Sequence, residues 1–286
     1  MDAIFRGTRG GVPAPGPDTV RFGGNTTALQ ITAAAGETVI LGAGTGILTI
    51  GRATPMPSGD LAIILAHLHW DDIQGLPFFD PLFDPARTIT IYGPRPSPEM
   101  SLREGLRMQM QPPHFPATFD EAIAADVHFV EVNPCAAFAI GTLQITPHQV
   151  VHPGTTLAYR IDEAGTHQSL AFAPENELPA MPPATVAAMA AWARDVDVLV
   201  HDAQYTEEEY PAKRGWGHST FDAALALARS AGARSLAFTH HDPTRGDAAL
   251  ATTATAAVVR DARRHGLDPL HAFAAAEGVR ELLSTE

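Results

Sequence analysis

Short runs rich in β-branched and aromatic residues, each closed by Gly, Asn, Asp or Pro, constrain this chain more than any other feature. Three of them, at 19–24, 27–34 and 37–42, follow one another across Gly and Asn turn signals and predict an antiparallel opening. Further runs at 61–67, 88–93, 127–132, 143–150, 156–161, 169–173, 196–201, 235–240 and 270–274 read as strands. Helical periodicity is confined to 97–110, 183–196, 219–232 and 247–266. The third helix is the best signalled, with Ser219 as N-cap, Asp222 completing a capping box and Gly232 as the stop. Strands outnumber helices, so the pattern favours sheet packed on sheet.

At 286 residues the chain exceeds the usual size of one domain, yet a large α/β sandwich reaches this length as a single unit. With no repeat at a 20–50 residue period and no linker-like segment, one domain spanning 1–286 is expected. The composition, 45% hydrophobic and 18% charged, supports a sizeable core. A formal net charge of -13 opposes binding to a long nucleic acid, whose affinity rests on Lys and Arg displacing counterions. The single cysteine, Cys135, has no internal disulfide partner. No apolar run approaches the roughly 20 residues of a membrane span, and a cytoplasmic location is expected.

Residue types able to carry chemistry gather just outside the apolar strands. They are "HLHWDD" after 61–67, "VVHPGTT" before 156–161, "LVHDAQY" after 196–201, "GWGHST" at a helix start and "FTHHDP" after 235–240. Sites of open sheets sit at such strand ends. A lone His there is ordinarily a loop residue; five coincidences together argue for a site. In an extended segment His67, His69 and Asp71 project to one side, because side chains alternate with period two. Two imidazoles beside a carboxylate suit zinc, iron or manganese. A helix starting at Asp71 and Asp72 would favour their negative charge.

The segment "HLHWDDIQGLPFF" resembles the HxHxDH signature of the metallo-β-lactamase fold, most closely its ribonuclease Z and cyclic phosphodiesterase branch. "GTRGGVPAPGPDTVRFGGNTT", "HPGTTLAYRI", "HDAQYT", "GWGHST" and "FTHHDP" extend the resemblance in the same order over nearly the whole chain. The resemblance implies an α+β fold, a four-layer αββα sandwich. It implies a first metal ion held by His67, His69 and His152, and a second held by Asp71, Asp72, Asp202 and His240, with Asp202 bridging. The separation of His218 from His240 resembles the family's spacing and selects His240, not His241, as the ligand. His218 is implied as a substrate-phosphate contact or proton donor, and Asp71 joins it in the catalytic set. A homodimer is implied as well.

The sequence departs from the family at Asp72, where the family has His, and at Gly42, where an Asp is usual. It departs again at Pro174 and Glu175 in "FAPENE", where the family has a Thr-Asp pair. A carboxylate at 72 makes the second site harder and more negative, which favours manganese, iron(II) or magnesium over zinc there; zinc suits the His-rich site. The expected function is a metal-dependent hydrolase, foremost a phosphodiesterase acting on a small or cyclic phosphodiester. The alternatives are a metal-dependent ester, lactone or thioester hydrolase, or a catalytically degenerate binding protein of the same fold. His114, His128, His148, His167, His265 and His271 lie outside the ligand pattern, with His114 a candidate substrate-loop contact. Trp70 is expected to face away from His69, into the core or a lid, with the core favoured.

Overall fold

The computed structural model describes residues 1–53, 57 and 59–282. One sheet is built from β1 (Asp2–Gly7), β2 (Ala28–Thr32), β3 (Thr38–Leu41), β4 (Leu61–Ile64), β5 (Thr88–Gly93) and β6 (Asp126–Glu131). The second holds β7 (Phe138–Ile140), β8 (Leu143–Gln149), β9 (Leu157–Glu163), β10 (Ser169–Ala173), β11 (Val198–Asp202), β12 (Ser235–Thr239) and β13 (His271–Ala274). The chain then returns to the first sheet, where β14 (Arg280–Leu282) pairs antiparallel with β1. The spatial orders are β14-β1-β2-β3-β4-β5-β6 and β13-β12-β11-β10-β9-β8-β7. In each sheet the antiparallel part gives way to parallel pairing, at β3–β4 in the first and at β10–β11 in the second.

Period-two alternation explains how both sheets are covered on both faces. Val39, Leu41, Ala62 and Ile64 point inward and meet Tyr159, Ile161, Leu170, Phe172, Val198 and Val200 of the other sheet. Their neighbours Ile40 and Ile63, with Ile89 and Ile91, point outward. These meet α1 (Ile47–Gly51) and α3 (Leu102–Met108); the one-turn helices α2 (Trp70–Ile73) and α4 (Phe119–Ala122) complete that side. On the far side Ala171, Ala173, Leu199, Leu236 and Phe238 pack under α5 (Pro183–Trp192), α6 (Phe221–Ala231) and α7 (Asp247–His265). This is the sheet-on-sheet packing that the strand pattern favoured and the αββα sandwich that the resemblance implied. Phe172 stands in the inter-sheet layer with 2% of its surface exposed. Replacing it with Ala is expected to lower unfolding stability by about 3–5 kcal/mol, read as a fall in the denaturant midpoint at unchanged slope.

Several local readings are corrected. Residues 19–24 are not a strand: Pro17–Thr19 forms a 3-10 turn, and Asp247 at the start of α7 accepts from the Arg21 N–H at 2.7 Å and the Phe22 N–H at 3.2 Å. A side-chain carboxylate thus satisfies the donors a sheet would have taken. The helix expected from 97 starts at Leu102, because Ser101 and Glu104 form a reciprocal capping box. α6 is capped by Thr220, whose Oγ1 accepts from Ala223 N–H at 3.1 Å, not by Ser219. The Ser219 hydroxyl instead accepts from Leu178 N–H at 3.0 Å and donates to the Asn176 carbonyl, and Asp222 pairs with Arg260. The strands at Asp2–Gly7, Phe138–Ile140 and Arg280–Leu282 went unseen in the sequence. Among the described residues no helix is long and apolar enough to cross a membrane.

Candidate metal centre

The parallel strands β4, β10, β11 and β12 end at one edge of the sandwich, and the segments leaving them carry the polar side chains. After β4 the backbone runs extended to His69, which is the N-cap of α2 with φ -65 and ψ 152, so Asp71 and Asp72 fall in the first helical turn. His152 follows β8, Glu175 follows β10, and His240 follows β12 in a left-handed conformation at φ 57. His218 precedes the cap of α6. The sequence places these residues far apart along the chain; the strand edge is what collects them.

Glu175 lies at the centre. One of its oxygens, Oε2, is 3.1 Å from His67 Nε2, 2.7 Å from His152 Nε2 and 4.0 Å from His69 Nδ1. The other, Oε1, is 3.2 Å from His240 Nε2. His240 Nε2 also lies 3.3 Å from Asp71 Oδ2, which accepts from the Gly11 N–H at 2.6 Å. Among the described residues, three groups place one ligand atom each within 4.8 Å of one another. They are His67, His69, His152 and Glu175; Asp71, Asp72 and Glu175; and Glu175, His218 and His240. Glu175 belongs to all three.

The surroundings fix which nitrogen each imidazole presents. His152 Nδ1 donates to the Gly217 carbonyl at 2.8 Å, and His240 Nδ1 donates to Gln204 Oε1 at 3.1 Å. Each ring therefore turns Nε2 toward Glu175, as a lone pair when neutral and as a second N–H when protonated. Gly217 is required where it stands: its φ is +91, and a Cβ would lie 2.1 Å from His152 Nδ1. Both ring nitrogens of His67, both oxygens of Asp72 and Glu175 Oε1 are buried without a well-aligned hydrogen-bond partner. Orphaned buried atoms of these types, His67 Nδ1 facing Asp72 and His67 Nε2 facing Glu175, fit divalent cations as partners.

The electrostatics say the same. Burial opposes the charge on Glu175, yet His67 and His240 hold its carboxyl well below the usual range. Burial likewise disfavours a charged His67, but Glu175 and Asp72 push its pKa up to about 10. His240 is raised in the same way by Glu175 and Asp71 against its own burial. Burial and the neighbouring Glu175 raise the Asp72 carboxyl. Burial and the adjacent His67 lower His69 to about 4. A pocket of three buried carboxylates demands positive charge at its centre, and protons on His67 and His240 are the nearest substitute for cations.

Of the residues singled out in the sequence, His67, His69, Asp71, Asp72, His152, His218 and His240 converge here. Asp202, which the resemblance implied as the bridge, falls outside all three groups, and both of its oxygens accept hydrogen bonds. Oδ2 accepts from His218 Nδ1 at 2.7 Å, and Oδ1 accepts from the Gln204 N–H at 3.0 Å. The central carboxylate is Glu175, whose signal was an acidic residue directly after an apolar strand. His241 points away, donating through Nε2 to the Ala275 carbonyl at 2.9 Å. His114 is exposed and outside the cluster. Trp70 is 58% exposed at the mouth and is not a core residue. Gly42 has φ +79, and a Cβ there would lie 2.8 Å from the Thr27 carbonyl oxygen, so the usual Asp would be strained at this turn.

A sandwich of this topology with a His and carboxylate cluster at its strand edge defines the metallo-β-lactamase fold, and residues 39–241 match the Beta-lactamase superfamily domain, so the chain belongs to that family. It is 26% identical over 288 residues to Ribonuclease BN of Cronobacter sakazakii (strain ATCC BAA-894), spanning 84% of this chain and 88% of that one. Its fold is similar to the metallo-beta-lactamase fold protein YhfI of Bacillus subtilis, with a TM-score of 0.70 at 16% identity over 98% of both chains. It is also similar to a diphosphatase of the PhnP family, with a TM-score of 0.65 at 18% identity over 99% of this chain and 98% of that one.

Proposed function

We propose that this protein is a metal-dependent hydrolase that cleaves a small phosphodiester. The observation that carries the reading is the sharing of Glu175 between a His-rich and a carboxylate-rich set, with His218 beside both. His67, His69, His152 and Glu175 would hold one ion, for which zinc suits the three imidazoles. Glu175, Asp71, Asp72 and His240 would hold the other, whose oxygen donors suit manganese or iron(II) as well as zinc. Bound there, such ions lower the pKa of water and neutralise charge developing on a phosphoryl group.

The chain's own groups do the rest. Glu175 fixes the separation of the two sets, and Gly11 and Gln204 orient Asp71 and His240. His218 is stacked on His240 with ring centroids 4.7 Å apart, and only 12% of its side chain is exposed. Its Nδ1 is committed to Asp202, so Nε2 is the nitrogen that can protonate the departing oxygen, and the Asp202 carboxylate stabilises the imidazolium that does so. The acidic chain argues for a small substrate over a long nucleic acid.

The test is metal content by plasma mass spectrometry on protein purified without a metal-binding tag. Turnover of bis(p-nitrophenyl) phosphate and of p-nitrophenyl acetate is measured alongside, with zinc, manganese or iron(II). About two ions per chain and preference for the phosphodiester are expected. Preference for the acetate would favour a carboxylic ester hydrolase, and trace metal with no turnover under any ion would leave a binding protein.

A further inference from the structure

Beside the His-rich set a cavity of about 490 Å³ opens to solvent, with His67 and His69 forming part of its wall. Its remaining surface is largely apolar: Trp70, Pro96, Met100, Met108 and Pro153 face it, and no Lys or Arg is among its lining residues. Trp70 and Met108 stand at its mouth, 58% and 60% exposed. Large apolar side chains left this open beside a charged centre cost solvation that a ligand would recover. Gly105, inside α3, adds depth, since a Cβ there would lie 2.6 Å from Leu68 Cδ1. Besides Thr155, the polar side chain in this remaining wall is Gln109, whose amide nitrogen and oxygen are both buried with no hydrogen-bond partner among the described residues.

We infer that this cavity is the subsite for an uncharged, flat ring on the substrate, packed between Trp70 and the two methionines and met at one hydrogen-bonding edge by the Gln109 amide. The inference rests on the phosphodiester reading, which sets the phosphoryl group at the adjoining His and carboxylate centre. Away from the His residues a second phosphate or another anionic group finds no Lys or Arg in this wall, so its apolar part disfavours added charge. A ring with a donor and acceptor edge satisfies both the apolar wall and the orphaned amide. Trp70 and Gln109 are thereby specificity-determining residues.

The probes are methylphosphonate, phenylphosphonate and (4-carbamoylphenyl)phosphonate, titrated into the metal-loaded protein by calorimetry, with Trp fluorescence as a second readout. Phenylphosphonate is expected to bind at least about tenfold more tightly than methylphosphonate, from the apolar area it buries. The carbamoyl group should add about three- to tenfold. Gln109→Leu should abolish the carbamoyl increment while keeping the phenyl preference, and Met108→Glu, at an exposed position, should reduce the phenyl preference. Equal affinity for the methyl and phenyl ligands, or a carbamoyl increment that persists in Gln109→Leu, would overturn the subsite while leaving the phosphodiester reading intact. Failure of all three phosphonates to bind would instead overturn that reading, and the subsite with it.

Discussion

Glu175→Gln is expected to reduce bound metal to a fraction of its normal content and to lower phosphodiester turnover by about 10²–10⁴-fold, corresponding to the roughly 3–5 kcal/mol cost of breaking a buried charge pair. The amide keeps the volume but removes the negative charge that His67, His152 and His240 all face. Oε1 and Oε2 address different groups, so a single substitution weakens both sets together. Plasma mass spectrometry of the purified variant, with thermal unfolding in the presence and absence of a chelator, is the measurement. The sharpest contrast is Asp202→Asn, which should retain metal, because Asp202 lies outside the three groups. Full metal content in Glu175→Gln, or its loss in Asp202→Asn, would return the bridging role to Asp202.

His218→Ala should act on the leaving group. A general acid contributes about 10²–10⁴-fold when the departing oxygen is a poor leaving group. The loss should be of that order for an alkyl phosphodiester and much smaller for p-nitrophenolate, which departs without a proton. Asp202→Asn should follow the same dependence at about 10–100-fold, since it acts only by holding Nδ1 of His218 at 2.7 Å. The plot of log kcat/KM against leaving-group pKa should therefore be steeper in both variants than in the parent. Parallel slopes would show that His218 binds phosphate and does not transfer a proton.

Much of the architecture was legible because the strands of a doubly covered sheet are short, apolar and β-branched; Thr88–Gly93 and Ser169–Ala173 were read to the residue. The misreadings have a common cause. Residues 19–24 look like a strand until Asp247, far along the chain, takes their donors, and Ser219 looks like a cap until Asn176 and Leu178 claim its hydroxyl. Each of these groups had a local option and a distant one, and the distant one won.

The candidate site divides along the same line. The His residues were found because imidazoles at the ends of apolar strands are conspicuous and ordered as in the metallo-β-lactamase fold. Glu175 was visible as an acidic residue after an apolar strand and as a missing Thr-Asp pair, and nothing local distinguishes its role from that of Asp202. Both acids sit at the edge of the same sheet, after β10 and at the end of β11, and register alone does not tell which one faces the imidazoles.

The sequence by itself determined the order of most strands and of the longer helices, the edge where polar residues collect, and the imidazoles at strand ends, because alternation and strand ends are properties of a local segment. Tertiary structure decided which carboxylate occupies the centre, which ring nitrogen each His turns inward, and that an apolar cavity opens beside the metal ligands. Those features depend on distances between segments tens to hundreds of residues apart, and only the packing of two sheets sets such distances.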